Sequence, residues 1–282
     1  MQLLVSVRSA AEVGSALSGG ADIIDAKEPQ NGSLGPVSSA TLAEILALVP
    51  SDCSFSIALG DLVKPEDAVT AIASIALPVR AAPTYLKLGF AGVRSPERVT
   101  RILATAVAAL AERGSPALVV GVAYADATRA GTLTPDLILG RVHSAGAAGV
   151  LLDTYTKDGI GLLEWITPTA LGAWVEGARH AGLLTAVAGS LTLETLDTVV
   201  GAGADVVGVR GAACHGGRQG QVQTDRVRAL RRRLDGFGSS SVREDLRRRG
   251  ADGETRDGAP IYPSGRWLSS IKPTLRGASR RA

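Results

Sequence analysis

Hydrophobic and polar positions along the chain switch between two periods from the first residues to about Leu234. Short runs rich in Val, Ile, Leu and Ala alternate with segments whose apolar residues recur at helical spacing. The runs predict strands at 3–7, 22–27, 55–59, 85–90, 117–125, 149–154, 184–190 and 206–211. The longer segments predict helices near 10–18, 40–48, 65–75, 96–113, 135–145, 169–181, 193–201 and 224–234. Eight βα units in about 235 residues are close to the usual size of a (βα)8 TIM barrel, an α/β fold. A doubly wound open sheet is the competing arrangement. Even spacing with no obvious insertion favours closure. The stretches "GGADIIDAK", "GAAGVLLDT" and "GAGADVVGVRG" share a small-residue helix end, a short turn and a strand with a polar end, so the junctions follow one plan.

The pattern changes after Leu234. Residues 236–282 are rich in Gly, Ser, Pro and Arg, with ten basic and five acidic side chains. The whole chain carries a formal charge of +3, so residues 1–235 are near −2. The composition reads as an Arg-rich C-terminal extension that is flexible or loosely docked, with Trp267, Leu268 and Ile271 as its candidate docking residues. Its charge could serve an acidic partner. A solvated extension is the simpler reading, and no nucleic-acid partner is expected.

No apolar run approaches the length of a membrane span, and "MQLLVSVRSA" lacks the layout of a secretory signal, so a cytoplasmic setting is expected. Cys53 and Cys214 are far apart, and no His, Asp or Glu grouping has metal-ligand spacing. Neither a disulfide framework nor a metal site is expected. Cations are far more selective: there are 25 Arg and only five Lys, at 27, 64, 87, 157 and 272. An arginine cannot lose its proton or form an imine, whereas a lysine can do both. Base composition would give the same bias, so the surviving lysines are candidates rather than assignments.

In a (βα)8 barrel the reactive groups sit at the C-terminal ends of the strands. Strand 2 ends in "DIIDAK". Alternation puts Ile23, Asp25 and Lys27 on one face. On strand 4, "TYLKLGF", Leu86 and Leu88 suit the helix-facing side, which turns Lys87 inward. Strand 6 carries Asp153, with Lys157 just beyond. Each such pair alone reads most simply as a structural ion pair. Together they would gather two carboxylates and three ammoniums at one mouth, which stability alone does not favour. Clustered ammoniums lower one another's pKa and free an amine to act as nucleophile or base. The ends of strands 7 and 8, "VAGSL" and "GVRGAACHGG", resemble the phosphate cradle of this fold. Gly189, Ser190, Gly211 and Ala212 would supply backbone donors and Arg210 charge. Asp61 and Asp126 also fall at strand ends and could line the mouth. His143 and His180 lie near helix C-termini, and His215 follows strand 8.

The segments "GGADIIDAKEPQNGSLG", "YLKLGFAGV", "GVAYADA", "LLDTYTKDG", "AVAGSL" and "DVVGVRGAAC" closely resemble the (5-formylfuran-3-yl)methyl phosphate synthases, also called 4-(hydroxymethyl)-2-furancarboxaldehyde-phosphate synthases. The resemblance is collinear from residue 1 to about 235, and the extension has no counterpart in it. It implies a (βα)8 lyase that condenses two molecules of glyceraldehyde 3-phosphate into a phosphorylated furan aldehyde, releasing phosphate and water, for methanofuran-type one-carbon carriers. By the same resemblance Lys27 is the imine-forming lysine and Lys87 the proton-transfer lysine, with Asp25, Asp153 and Lys157 assisting. No cofactor is implied, and barrels of this kind often form homo-oligomers. Two other readings use the same residues: a class I aldolase acting on another phosphorylated sugar, and a non-catalytic phosphate-binding barrel.

Overall fold

The computed structural model describes residues 1–236. Eight parallel strands close into a barrel in chain order: β1 (Gln2–Val7), β2 (Ile23–Ala26), β3 (Ser54–Asp61), β4 (Thr84–Gly89), β5 (Leu118–Tyr124), β6 (Gly149–Asp153), β7 (Leu184–Val187) and β8 (Val206–Val209). β8 pairs with β1, with Leu3 beside Val207 and Val5 beside Val209. The open-sheet alternative is thereby excluded. The intervening helices are α1 (Val13–Ser18), α2 (Ser39–Leu48), α3 (Pro65–Ala73), α4 (Pro96–Glu112), a short α5 (Ala127–Ala130), α6 (Pro135–Ser144), α7 (Pro168–His180) and α8 (Leu196–Gly201). A last helix, α9, starts at residue 224 and runs to the end of the described residues. The extension, with Trp267, Leu268 and Ile271, lies outside them. Among the described residues no helix is long and apolar enough to cross a membrane.

Local chemistry explains where the helices begin. α3, α4, α6 and α7 each open on a proline, whose fixed φ suits the first turn and whose missing N–H is not needed there. The Ser95 and Thr167 side chains cap α4 and α7 by accepting from Arg98 N and Ala170 N. Alternation along the strands then sorts the core. Val5, Ile24, Phe55, Leu86, Leu88 and Val207 face the helices in one cluster, while Leu4, Ile23, Val120, Leu151, Ala186 and Val206 fill the barrel interior in another. Inward positions nearer the mouth are polar or small, including Ala188 and Gly208, so the interior opens into a cavity there.

The seam between the last strand and the first carries its own fastening. Arg210, just past β8, binds both Glu12 oxygens at 2.5 and 3.0 Å. It also donates to the carbonyls of Ser6, Arg218 and Gly220. Arg210 and Glu12 are 5% and 4% exposed. Removing one member of a buried ion pair strands the other charge. Glu12→Gln is therefore expected to lower unfolding free energy by about 3–5 kcal/mol in urea denaturation. Replacing both residues with apolar ones should recover most of that loss. An unchanged midpoint for Glu12→Gln would remove the seam from the account.

Candidate active site

One cavity of about 350 Å³ opens at the C-terminal ends of the strands. Its wall includes Asp25, Lys27, Lys87, Asp153 and Lys157, the five residues that strand parity placed at the mouth. Asp25, Lys27, Lys87 and Asp153 are all under a tenth exposed, and Lys157 is half-buried. They resolve into two ion pairs and one separate amine. Lys87 Nζ lies 2.7 Å from Asp25 Oδ1, and Lys157 Nζ lies 2.7 Å from Asp153 Oδ1. Among the described residues Lys27 makes no ion pair within 4 Å, although its charge is felt by both carboxylates.

The electrostatics follow from that layout. Burial and the neighbouring Lys87 ammonium push Lys27 down to about 7, against the opposing pull of Asp153 and Asp25. Burial pushes both carboxyls up, but the lysines outweigh it. Asp25 is held below its ordinary value by Lys87 and Lys27, and Asp153 is brought to about 2 by Lys157 and Lys27. Hydrogen bonds fix the carboxylates further. Ser6 Oγ donates to Asp25 Oδ2 at 2.7 Å, and Thr154 N donates to Asp153 Oδ1 at 2.8 Å.

The strand 7 and 8 ends are loops rather than strand. Gly189 and Ser190 both adopt positive φ, 112° and 52°, which ends β7 at Val187 and turns the chain over the mouth. Gly189, Ser190, Gly211 and Ala212 line the cavity. Among the described residues their backbone N–H groups donate to no protein acceptor. Arg210 also lines the cavity, but its five N–H donors are all committed to the seam, so its charge is not free for an anion. The free charge sits instead on Arg218. A two-stranded hairpin, β9 (Cys214–His215) with β10 (Gln221–Val222), carries it to the cavity. Arg218 Nη2 donates to the carbonyls of Pro29 and Gly32, and the residue has no carboxylate partner among the described residues.

Other polar residues brace the loops. Asp126 accepts from Tyr155 N and Thr156 N, which fixes the approach to Lys157. Asp61 accepts from Ala91 N and the Tyr124 hydroxyl. Neither lines the cavity, nor does His215. His143 and His180 contact the Ala181 and Glu176 carbonyls near helix ends. Ser33 had no sequence signal beyond its place in the loop after Lys27. Its Oγ lies 3.1 Å from Asp153 Oδ2 and 2.9 Å from the Thr154 carbonyl, which ties that loop across the mouth. Cys53 and Cys214 are both free thiols.

Known proteins match this chain at two levels. In solved structures the barrel resembles KGPDC from Streptococcus mutans, with TM-score 0.54 and 13% identity over 83% of this chain and 97% of that one. It also resembles phosphoribosyl anthranilate isomerase from Thermus thermophilus, with TM-score 0.51 and 16% identity over 84% of this chain and 100% of that one. Identities that low speak to the fold alone. In sequence, a family profile described as 4-HFC-P synthase matches residues 3–231. The (5-formylfuran-3-yl)methyl phosphate synthase of Methanothermobacter thermautotrophicus is 37% identical over 239 residues, covering 84% of this chain and all of the relative. That of Methanopyrus kandleri is 36% identical over 232 residues, covering 81% and 97%. The chain belongs to the (5-formylfuran-3-yl)methyl phosphate synthase family.

Proposed function

We propose that the protein condenses two molecules of glyceraldehyde 3-phosphate into (5-formylfuran-3-yl)methyl phosphate through an imine on Lys27. The observation that carries this reading is the state of that amine. It is buried, held near pKa 7, and without an ion-pair partner among the described residues, while Lys87 and Lys157 are each held by a carboxylate. At pH 7 about half of such amines are uncharged, against roughly one in 3000 at 10.5. A pure phosphate-binding barrel has no use for that arrangement.

The chemistry then runs between neighbouring groups. Lys27 attacks the aldehyde of the first triose phosphate. Lys87, paired with Asp25, gives its proton to the departing hydroxyl, which leaves as water. The amine left on Lys87 removes the proton from the carbon beside the imine, and the electrons move into the C–N system. Phosphate leaves by elimination, and the second triose phosphate is isomerised to its ketone by proton transfer. The terminal enol carbon left by the elimination attacks that C2 carbonyl, which sets the branched skeleton of the product. Ring closure and net loss of two waters give the aromatic furan, whose stability makes the late steps effectively irreversible, and hydrolysis of the imine frees the product aldehyde and the Lys27 amine. Asp153 and Lys157 shuttle protons on the opposite pair.

The phosphate that stays with the product is held by the Gly189, Ser190, Gly211 and Ala212 N–H groups, with Arg218 in place of Arg210 as the cation. Charge-assisted bonds to a phosphate are the strong ones. Arg218→Gln should therefore weaken binding of inorganic phosphate about 10-fold or more by calorimetry, and Arg218→Lys should restore part of it. Unchanged affinity would move the phosphate elsewhere.

Borohydride reduction with glyceraldehyde 3-phosphate, followed by peptide mass mapping, tests the covalent step. An adduct on Lys27 is expected, and one on any other lysine refutes the assignment. Lys27→Arg should be inactive. A near-ultraviolet furan chromophore appearing with free phosphate is the expected product signature, whereas reversible aldol cleavage identifies an ordinary class I aldolase. The sign of the pH effect is set by Lys27: the free amine grows as pH rises through its pKa. The initial rate of trapping should climb between about pH 6 and 8 and then level off. A rate still climbing toward pH 10 would show an ordinary lysine.

A further inference from the structure

Asp25 stands between two serines. The β1–β2 register sets Ser6 beside it on one side, and the β2–β3 register sets Ser56 on the other. All three face the barrel interior and line the cavity. The serines are used unequally. Ser6 donates to Oδ2 at 2.7 Å. Ser56 is 1% exposed, and among the described residues its Oγ has no hydrogen-bond partner. Asp25 Oδ1 is likewise buried, with the Lys87 contact at 2.7 Å as its only link among the described residues. A buried hydroxyl with nothing to bond destabilises a fold, so its presence calls for a reason. A serine hydroxyl is also a rotor, and the β2–β3 register sets Ser56 level with Asp25 on the same inward face.

The reaction set out above supplies an occasion, and the inference rests on it to that extent. Lys87 has to leave Asp25 to serve the carbon beside the imine. That departure strips Oδ1 of its partner in a fully buried carboxylate, and burial favours the protonated acid. An Asp25 that has taken up a proton no longer draws the recharged Lys87 back. The charged groups acting on Asp25 are Lys87 from β4 and Lys27 at the end of its own strand, while Asp153 and Lys157 act on Lys27. None of these can replace Lys87 at Oδ1 while Lys27 holds the substrate. The hydroxyl on β3 can.

We propose that Ser56 is a positioning residue: it turns to donate to Asp25 Oδ1 when Lys87 departs, and so keeps the carboxylate ionised until Lys87 returns. The handover couples Ser56 to Lys87 through Asp25, which a double-mutant cycle measures. Urea unfolding would be compared for the wild type, Ser56→Ala, Lys87→Met and the double variant. Ser56→Ala should leave the wild-type midpoint unchanged or slightly raised. In the Lys87→Met background, where Asp25 depends on the hydroxyl, the same substitution should lower the midpoint clearly. Equal shifts in both backgrounds overturn the proposal.

Turnover gives a second measurement, which decides by itself should Lys87→Met not fold. Ser56→Ala should lower kcat about 10-fold, the size of one hydrogen bond, with KM unchanged. Ser56→Thr, which keeps the hydroxyl, should restore kcat. A raised KM with kcat intact would make Ser56 a substrate contact and overturn the handover. A wild-type protein without a borohydride adduct on Lys27 would refute the reaction, while the unfolding cycle would still test the handover.

Discussion

An amine can be kept uncharged near neutrality by burying it beside other cations, but those cations need carboxylates to hold them. The mouth of this barrel meets both demands with five side chains. Lys87 sits on Asp25 and Lys157 sits on Asp153, so two positive and two negative charges cancel. Lys27 is the remainder. Had its ammonium been fully charged, the cluster would hold a buried excess positive charge, which burial opposes. Burial together with Lys87 drives the Lys27 amine toward its free form, and the two carboxylates keep its pKa near 7 rather than lower. The nucleophile is set by the balance of the group, and no single contact supplies it.

Such a balance survives only if the strands hold their positions and the loops hold theirs. Neighbouring strands do the first. Ser6 and Ser56 come level with Asp25, and Ala58 and Val120 come level with Lys87, because parallel register leaves no freedom to slide. Side chains that never reach the cavity do the second. Asp126 grips the backbone ahead of Lys157, and Ser33 ties the β2 loop to the β6 end. Arg210 closes the seam beside Ser6, and the chain thereby joins the stability of its closure to the positioning of its first catalytic strand.

What the sequence could disclose followed from period and parity. The alternation in "DIIDAK" and "TYLKLGF" already turned Asp25, Lys27 and Lys87 inward, because side-chain direction in a strand is fixed by position alone. Partner choice is not. Whether Arg210 meets a ligand or Glu12 depends on a residue 198 positions away, and no local pattern records it. Strands 7 and 8 looked longer than they are, since "VAGSL" and "GVRGA" continue the small, apolar pattern while the chain has already turned, at Gly189 and Ser190 through positive φ and after Val209 through a 3-10 turn at Gly211–Ala213. The two-residue strands of the β9–β10 hairpin are too short to show any period, so Arg218 stayed hidden. Ser33 and Ser56 stayed hidden because an inward serine looks the same in sequence whether or not it has a partner.

The division between arginine and lysine then acquires a physical reason. Arginine serves where charge must be permanent and its fork can be filled: Arg210 uses all five donors at the seam. Of the five lysines, Lys64 is exposed beside α3 and Lys272 lies outside the described residues, while Lys27, Lys87 and Lys157 line one cavity. A guanidinium at position 27 would bring a permanent charge into a group that is already neutral, in a cavity whose wall has no third carboxylate among the described residues to receive it. It would also lack the means to become a nucleophile. Lysine at this position is therefore required twice, once by the chemistry of the imine and once by the electrostatics of the barrel. The second requirement holds whichever carbonyl compound enters.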